Sequence, residues 1–127
     1  GPAEQLHEPY GAADHGAAGL IVSNHGGRQL DGSVSTVYAL RDVVEAAGDR
    51  LEVLVDGGIR RGSHVVAALA MGARAVLIGR PYLWGLAVNG EDGVRRVLDD
   101  FRNEIVLAMA LCGRATVADI DRSLIAG

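Results

Sequence analysis

Apolar residues fall in short runs and stepped faces that alternate along the chain. The run GLIVS, Gly19 to Ser23, is too short for a helix and predicts a strand. In STVYALRDVVEAAGD, Val37, Leu40, Val43, Val44 and Ala47 recur at steps of three and four, which predicts one face of a helix. Ser35 or Thr36 would cap its start and Gly48 its end. LEVLVDGG predicts a second strand, RGSHVVAALAMGA a compact helix with Ser63 as N-cap, and RAVLIGRP a third strand. The last third is helical. PYLWGLAVN is short, and EDGVRRVLDDFRNEIVLAMALCG is long, with Val94, Val97, Leu98, Phe101, Ile105 and Met109 on the helical step. TVAD, from Thr116, has the spacing of a capping box with Asp in place of Glu.

Strands that alternate with helices are parallel strands joined by crossovers, and strands apolar throughout belong to a covered sheet. A doubly wound sheet and a (β/α)8 barrel both satisfy this α/β pattern. A barrel takes about 250 residues, so 127 residues would make roughly its second half.

The chemistry-bearing residues sit at the carboxyl ends of the strands, where such folds place their sites. Strand one runs into Ser23-Asn24-His25, strand two into Asp56-Gly57-Gly58, and strand three into Gly79-Arg80. All three ends would share one mouth. Gly57 and Gly58 would let bare backbone approach a ligand, with Arg60, Arg61 and a helix start just beyond them. Free helix N–H groups beside a guanidinium form a phosphate site, to which Arg80 would add a second guanidinium. His25 is a candidate proton acceptor, and Arg28, across Gly26-Gly27, a fork for a carboxylate. His7, His15 and His64 read as solvated or locally hydrogen-bonded, Asp31 as a turn residue, Tyr82 and Trp84 as packing residues, and Cys112 as core.

Composition narrows the classes. A formal net charge of -4 argues against a general nucleic-acid binder. A single Cys excludes an intrachain disulfide framework and fits a reducing, cytoplasmic setting. The sequence contains no HExxH and no Cys-His spacing, so no metal is expected. It also contains no run of 18 apolar residues, so no membrane span is expected.

Three stretches carry a family resemblance: SNHGGRQLDG, VDGGIRRGSHVVAALAMGARAVLIGRP, and the tail GEDGVRRVLDDFRNEIVLAMALCGRATVADIDRSLI. Together they resemble the C-terminal half of the FMN-dependent α-hydroxy acid dehydrogenases, a family that includes L-lactate dehydrogenases, lactate monooxygenases and glycolate oxidases. The resemblance covers Gly19 to the end. It implies an α/β fold that is the C-terminal half of a TIM (β/α)8 barrel, one partial domain over 1–127 with 1–11 as an unaligned lead-in. It implies FMN as cofactor and oxidation of a lactate- or glycolate-like L-2-hydroxy acid to the 2-oxo acid. Position by position, His25 matches the family's base, Arg28 the substrate-carboxylate Arg, and Ser23 a flavin-ring contact. Asp56, Gly57, Gly58, Ile59 and Arg60 match the ribityl and phosphate segment, and Gly79 and Arg80 the second phosphate pair. The family also has a Lys beside the flavin on the strand before GLIVS, whereas this chain contains no Lys. The expectation is therefore a fragment or split subunit, inactive alone, whose open strand edges call for a homo-oligomer or for a partner supplying the missing barrel half. The alternative is a non-catalytic half-barrel that binds phosphate or FMN, or self-associates. A nucleotide dehydrogenase is a third reading, disfavoured by the His25 motif.

Overall fold

A computed structural model describes residues 7–126; the start of the 1–11 lead-in lies outside them. The chain runs α1 (His7–Asp14), β1 (Gly19–Val22), a tight 3-10 turn (His25–Gly27), α2 (Thr36–Ala47), β2 (Glu52–Val55), α3 (Gly62–Ala70), β3 (Ala75–Val76) and α4 (Arg80–Leu111). Two 3-10 turns, Val117–Asp119 and Arg122–Leu124, follow. Helix α1 was not expected, because HEPYGAAD has glycine and proline punctuation and little apolar periodicity.

The three strands form a parallel sheet in the order β1-β2-β3. That order is the one-way progression of a barrel wall. Each crossover steps the same way along the sheet, and crossovers of one hand then place every helix on one face. Leu40 and Ala47 of α2 and Ala68 of α3 accordingly join one core with Val22, Val53 and Val55. A doubly wound sheet runs the same way within one half and reverses only beyond it, whereas a (β/α)8 barrel continues this progression all the way round.

Side chains alternate across a strand, so Ile21 and its register partner Leu54 share the opposite face. No helix of this core covers it, and Ile21 is 51% exposed. This is the face that lines the interior of a closed barrel. The third strand is shorter than RAVLIGRP suggested. Only Ala75–Val76 are strand, flanked by bonds from the Arg74 N–H to the Val53 carbonyl (2.7 Å) and from the Leu77 N–H to the Val55 carbonyl (2.9 Å).

Helix α3 begins at Gly62, with Ser63 inside its first turn, so Ser63 is not the N-cap. The cap comes from 42 residues away: the Gly62 N–H donates to Glu104 Oε2 at 2.7 Å, and Arg61 Nη2 to Glu104 Oε1 at 3.1 Å. The Gly62 hydrogen bond, then the Arg61 contact, hold the Glu104 carboxyl below its usual value. A folded-state pKa below the unfolded one contributes stability above the unfolded pKa and loses it as pH falls through the folded value. Melting temperature followed from about pH 6 to pH 3 should therefore fall more steeply for the wild type than for Glu104→Gln. Equal slopes would show that this cap does not form.

Helix α4 bends at Asn89-Gly90, where φ is -151° and 56°, which separates the expected short and long helices. The long segment packs Ile105, Ala108 and Met109 against Val66 and Ala70 of α3, and Ile120 from the closing turns completes that cluster. The Thr116 N–H donates to Asp119 Oδ2 at 3.0 Å, as the TVAD spacing suggested. Cys112, expected in the core, is the exposed residue at which α4 ends.

Candidate functional site

The three strand ends open into one cleft of about 650 Å³. Asn24 to Arg28 line one side, Asp56 to Arg60 the floor, and Leu77 to Pro81 the other side. His25, Arg28, Asp56, Gly57, Gly58, Ile59, Arg60, Gly79 and Arg80 are thus brought together. Ser23 is not on this wall. It lines an adjoining cleft of about 940 Å³ along β1, which also contains Asn24 and His25. His25 therefore stands between the two clefts.

The strand end holds His25 in an uncommon backbone. Its φ is 55°, the one left-handed non-glycine residue among those described, and Gly26 and Gly27 continue at 64° and 73°. A left-handed L-residue costs about 1–2 kcal/mol, so surrounding contacts must hold it. The His25 N–H donates to Ser23 Oγ at 3.2 Å, and Ser23 Oγ donates to Asp56 Oδ2 at 2.8 Å. The buried Thr36 hydroxyl donates to the Asp56 carbonyl at 2.7 Å, which locks the start of α2 onto the floor. From sequence, Thr36 offered only a helix cap. Gly57 has φ 89°, and a Cβ there would lie 3.1 Å from Thr36 Oγ1 and 3.4 Å from Asn24 Oδ1. The position thus needs glycine both for its backbone and for the close approach.

The cations divide by neighbour. The Arg60 guanidinium lies 5.7 Å from the ring centroid of Trp84, within cation–π range, so Trp84, expected as a packing residue but 51% exposed, supports Arg60. The Arg60 N–H donates to His64 Nδ1 at 3.2 Å, a local hydrogen bond of the kind expected for His64. Arg61 pairs with Glu104, and the same carboxylate occupies the first N–H of α3. One N–H of the α3 N-terminus, that of Gly62, is thus taken by Glu104. At the cleft, Gly79 caps α4, and Arg80 Nη2 donates to the Gly26 carbonyl at 2.9 Å.

Asp56 Oδ1 is buried and has no hydrogen-bond partner, although the other oxygen of the same carboxylate is satisfied. An orphaned carboxylate oxygen in a cleft wall asks for a hydroxyl or N–H donor from a ligand. The Arg60 and Arg80 side chains border the same cleft and supply charge for a phosphate. The donor set fits a phosphorylated polyol. Among the described residues no group of three or more His, Cys, Asp or Glu could hold a metal ion. No described helix is long and apolar enough to cross a membrane.

The sequence matches the FMN-dependent dehydrogenase family over residues 7–127. It is 53% identical over 114 residues to an L-lactate oxidase of Nostoc sp., covering 90% of this chain and 31% of that protein. An L-lactate dehydrogenase of Caulobacter sp. is 55% identical over 115 residues, 91% of this chain and 30% of that one. The fold superposes on the crystal structure of mandelate oxidase with benzoyl-formic acid at a TM-score of 0.86 and 50% identity, covering 89% of this chain and 34% of that chain. A mandelate oxidase mutant with a monooxide FMN adduct aligns equally well, at a TM-score of 0.86. The chain spans about a third of the length of these relatives.

Proposed function

The chain belongs to the FMN-dependent dehydrogenase family, and from that premise we propose that it forms the base and phosphate side of a flavoenzyme that oxidises an L-2-hydroxy acid. The observation that carries this reading is the shared cleft. His25, Arg28, Arg60 and Arg80 border one cavity, whose lining includes Asp56 with its buried, unpartnered Oδ1.

Each residue has a distinct task. Arg60 and Arg80 hold the phosphate of FMN, beside the Gly79 end of α4, where backbone N–H groups add to the attraction. Asp56 Oδ1 accepts a hydrogen bond from the ribityl chain, and Gly57 and Gly58 leave room for it. Bound FMN supplies a two-electron acceptor. Arg28 forks onto the substrate carboxylate, which fixes the α-carbon in place. His25, on the neighbouring turn, takes a proton from the substrate as its α-carbon is oxidised, and holds that proton on its ring. The substrate is lactate- or glycolate-like: small, with its carboxylate and hydroxyl on adjacent carbons. The bare Ile21 and Leu54 face suits the interior of a closed barrel, so a further polypeptide segment or a second chain completes the site.

Visible spectroscopy tests this reading. The 127-residue chain should bind FMN, shifting and sharpening the flavin bands, and should bind riboflavin far more weakly. Added L-lactate should leave the flavin oxidised, because the chain alone presents half of the substrate pocket. An FMN spectrum unchanged up to about millimolar protein would reject the cofactor assignment. Bleaching of the flavin by L-lactate would reject the incompleteness.

A further inference from the structure

The His25 turn is secured by the residue expected to grip phosphate. Within the turn, the Gly27 N–H bonds to the Asn24 carbonyl (3.0 Å) and the Arg28 N–H to the His25 carbonyl (3.3 Å). Both bonds are local. The Ser23–Asp56 bond ties the strand end to β2, but it reaches the turn only at the His25 N–H. The tip is reached from elsewhere by Arg80, whose Nη2 donates to the Gly26 carbonyl from 54 residues away. The fit at the tip is close, since a Cβ on Gly26 would lie 3.0 Å from that same nitrogen.

We propose that Arg80 is a positioning residue for His25. Its bond to the Gly26 carbonyl holds the left-handed turn that carries His25 at the edge of the cleft. A guanidinium has five N–H donors, so Arg80 can keep Gly26 while its remaining donors face an anion. An anion that fixes Arg80 then also stiffens the turn, so the cofactor side of the site prepares the substrate side. That consequence rests on the phosphate reading above. The bond to Gly26 does not.

Amide hydrogen exchange of Gly27 and Arg28, followed by NMR on the full chain, tests the proposal with inorganic phosphate as the probe. Without phosphate, Arg80→Gln should speed exchange of both amides by roughly tenfold, the effect of losing one hydrogen bond from a charged donor. Arg80→Lys, which keeps a donor and the charge, should restore part of the protection, whereas general loosening of α4 would not be rescued. Arg60→Gln should leave these amides at the wild-type rate. Added phosphate should slow them in the wild type and shift the His25 resonances, and should do neither in Arg80→Gln. Exchange in phosphate-free Arg80→Gln equal to the wild type overturns the proposal. Faster exchange in Arg80→Gln, with lysine rescue but no wild-type response to phosphate, supports the positioning role and overturns the phosphate reading.

Discussion

Arg60→Gln and Arg80→Gln together should lower FMN affinity about a hundredfold while changing riboflavin affinity less than about threefold. A hydrogen bond to a charged partner is worth roughly 1.5–3 kcal/mol, or about tenfold or more in binding. Both guanidinium groups sit in an open cleft, where water competes, so the lower end of that range applies to each. Riboflavin has the ring and the ribityl chain without the phosphate, so it isolates the charge contribution. Salt should reproduce the effect, weakening FMN binding to the wild type and leaving the double variant nearly unaffected. Titration by flavin fluorescence gives the constants. Trp84 is the sole tryptophan and lies against Arg60, so it reports the same event from the protein side. Equal losses for FMN and riboflavin would place the phosphate elsewhere.

The elements that could be read from the sequence were those set by local pattern. Val37, Leu40, Val43 and Val44 announced α2 because an amphipathic face is a property of one segment. The strand ends could be placed because apolar runs stop where polar residues and glycines begin, and this was enough to bring His25, Arg28, Arg60 and Arg80 to one mouth. Contacts between distant segments were not legible. Nothing near RRGSH says that Glu104 caps α3, and adjacent arginines carry no mark showing that Arg60 joins Trp84 while Arg61 joins Glu104. Ser23, matched through the resemblance to a flavin-ring contact, points its hydroxyl to Asp56 and lines the adjoining cleft, a pairing with a distant segment. The pattern alone left barrel and doubly wound sheet equal, because both read strand-helix-strand. The superposition on mandelate oxidase separates them, because it reports how whole segments pack rather than their local pattern. Cys112 continues the apolar step of Ile105 and Met109 but falls where the helix ends, so periodicity overran the packing.

Gly93→Ala should be the most damaging small substitution in the chain, and its effect should reach the cleft. Gly85 and Gly93 are buried on either side of the bend in α4, and their backbones touch. A Cβ on Gly93 would lie 1.8 Å from the Gly85 carbonyl oxygen, and one on Gly85 would lie 2.4 Å from that of Gly93. Neither obstacle is a flexible side chain, so the two helical segments must separate. Alanine favours helix over glycine by about 1 kcal/mol, whereas overpacking a tight contact costs typically about 1–3 kcal/mol and occasionally more. A contact this close lies at or beyond the upper end of that range, so the net loss should be about 2 kcal/mol or greater. Urea unfolding gives the number. Gly11→Ala is the matched comparison: it lies in α1 with no atom within 4 Å of an added Cβ, and it should stabilise by about 0.5–1 kcal/mol. The segment displaced by Gly93→Ala begins at Arg80 and carries Trp84, so one proposed phosphate ligand, Arg80, and the Trp84 support of the other, Arg60, shift with it. FMN affinity of the folded fraction should therefore fall in Gly93→Ala and hold in Gly11→Ala. A Gly93→Ala chain as stable as the wild type would show that the two backbones do not meet at the bend.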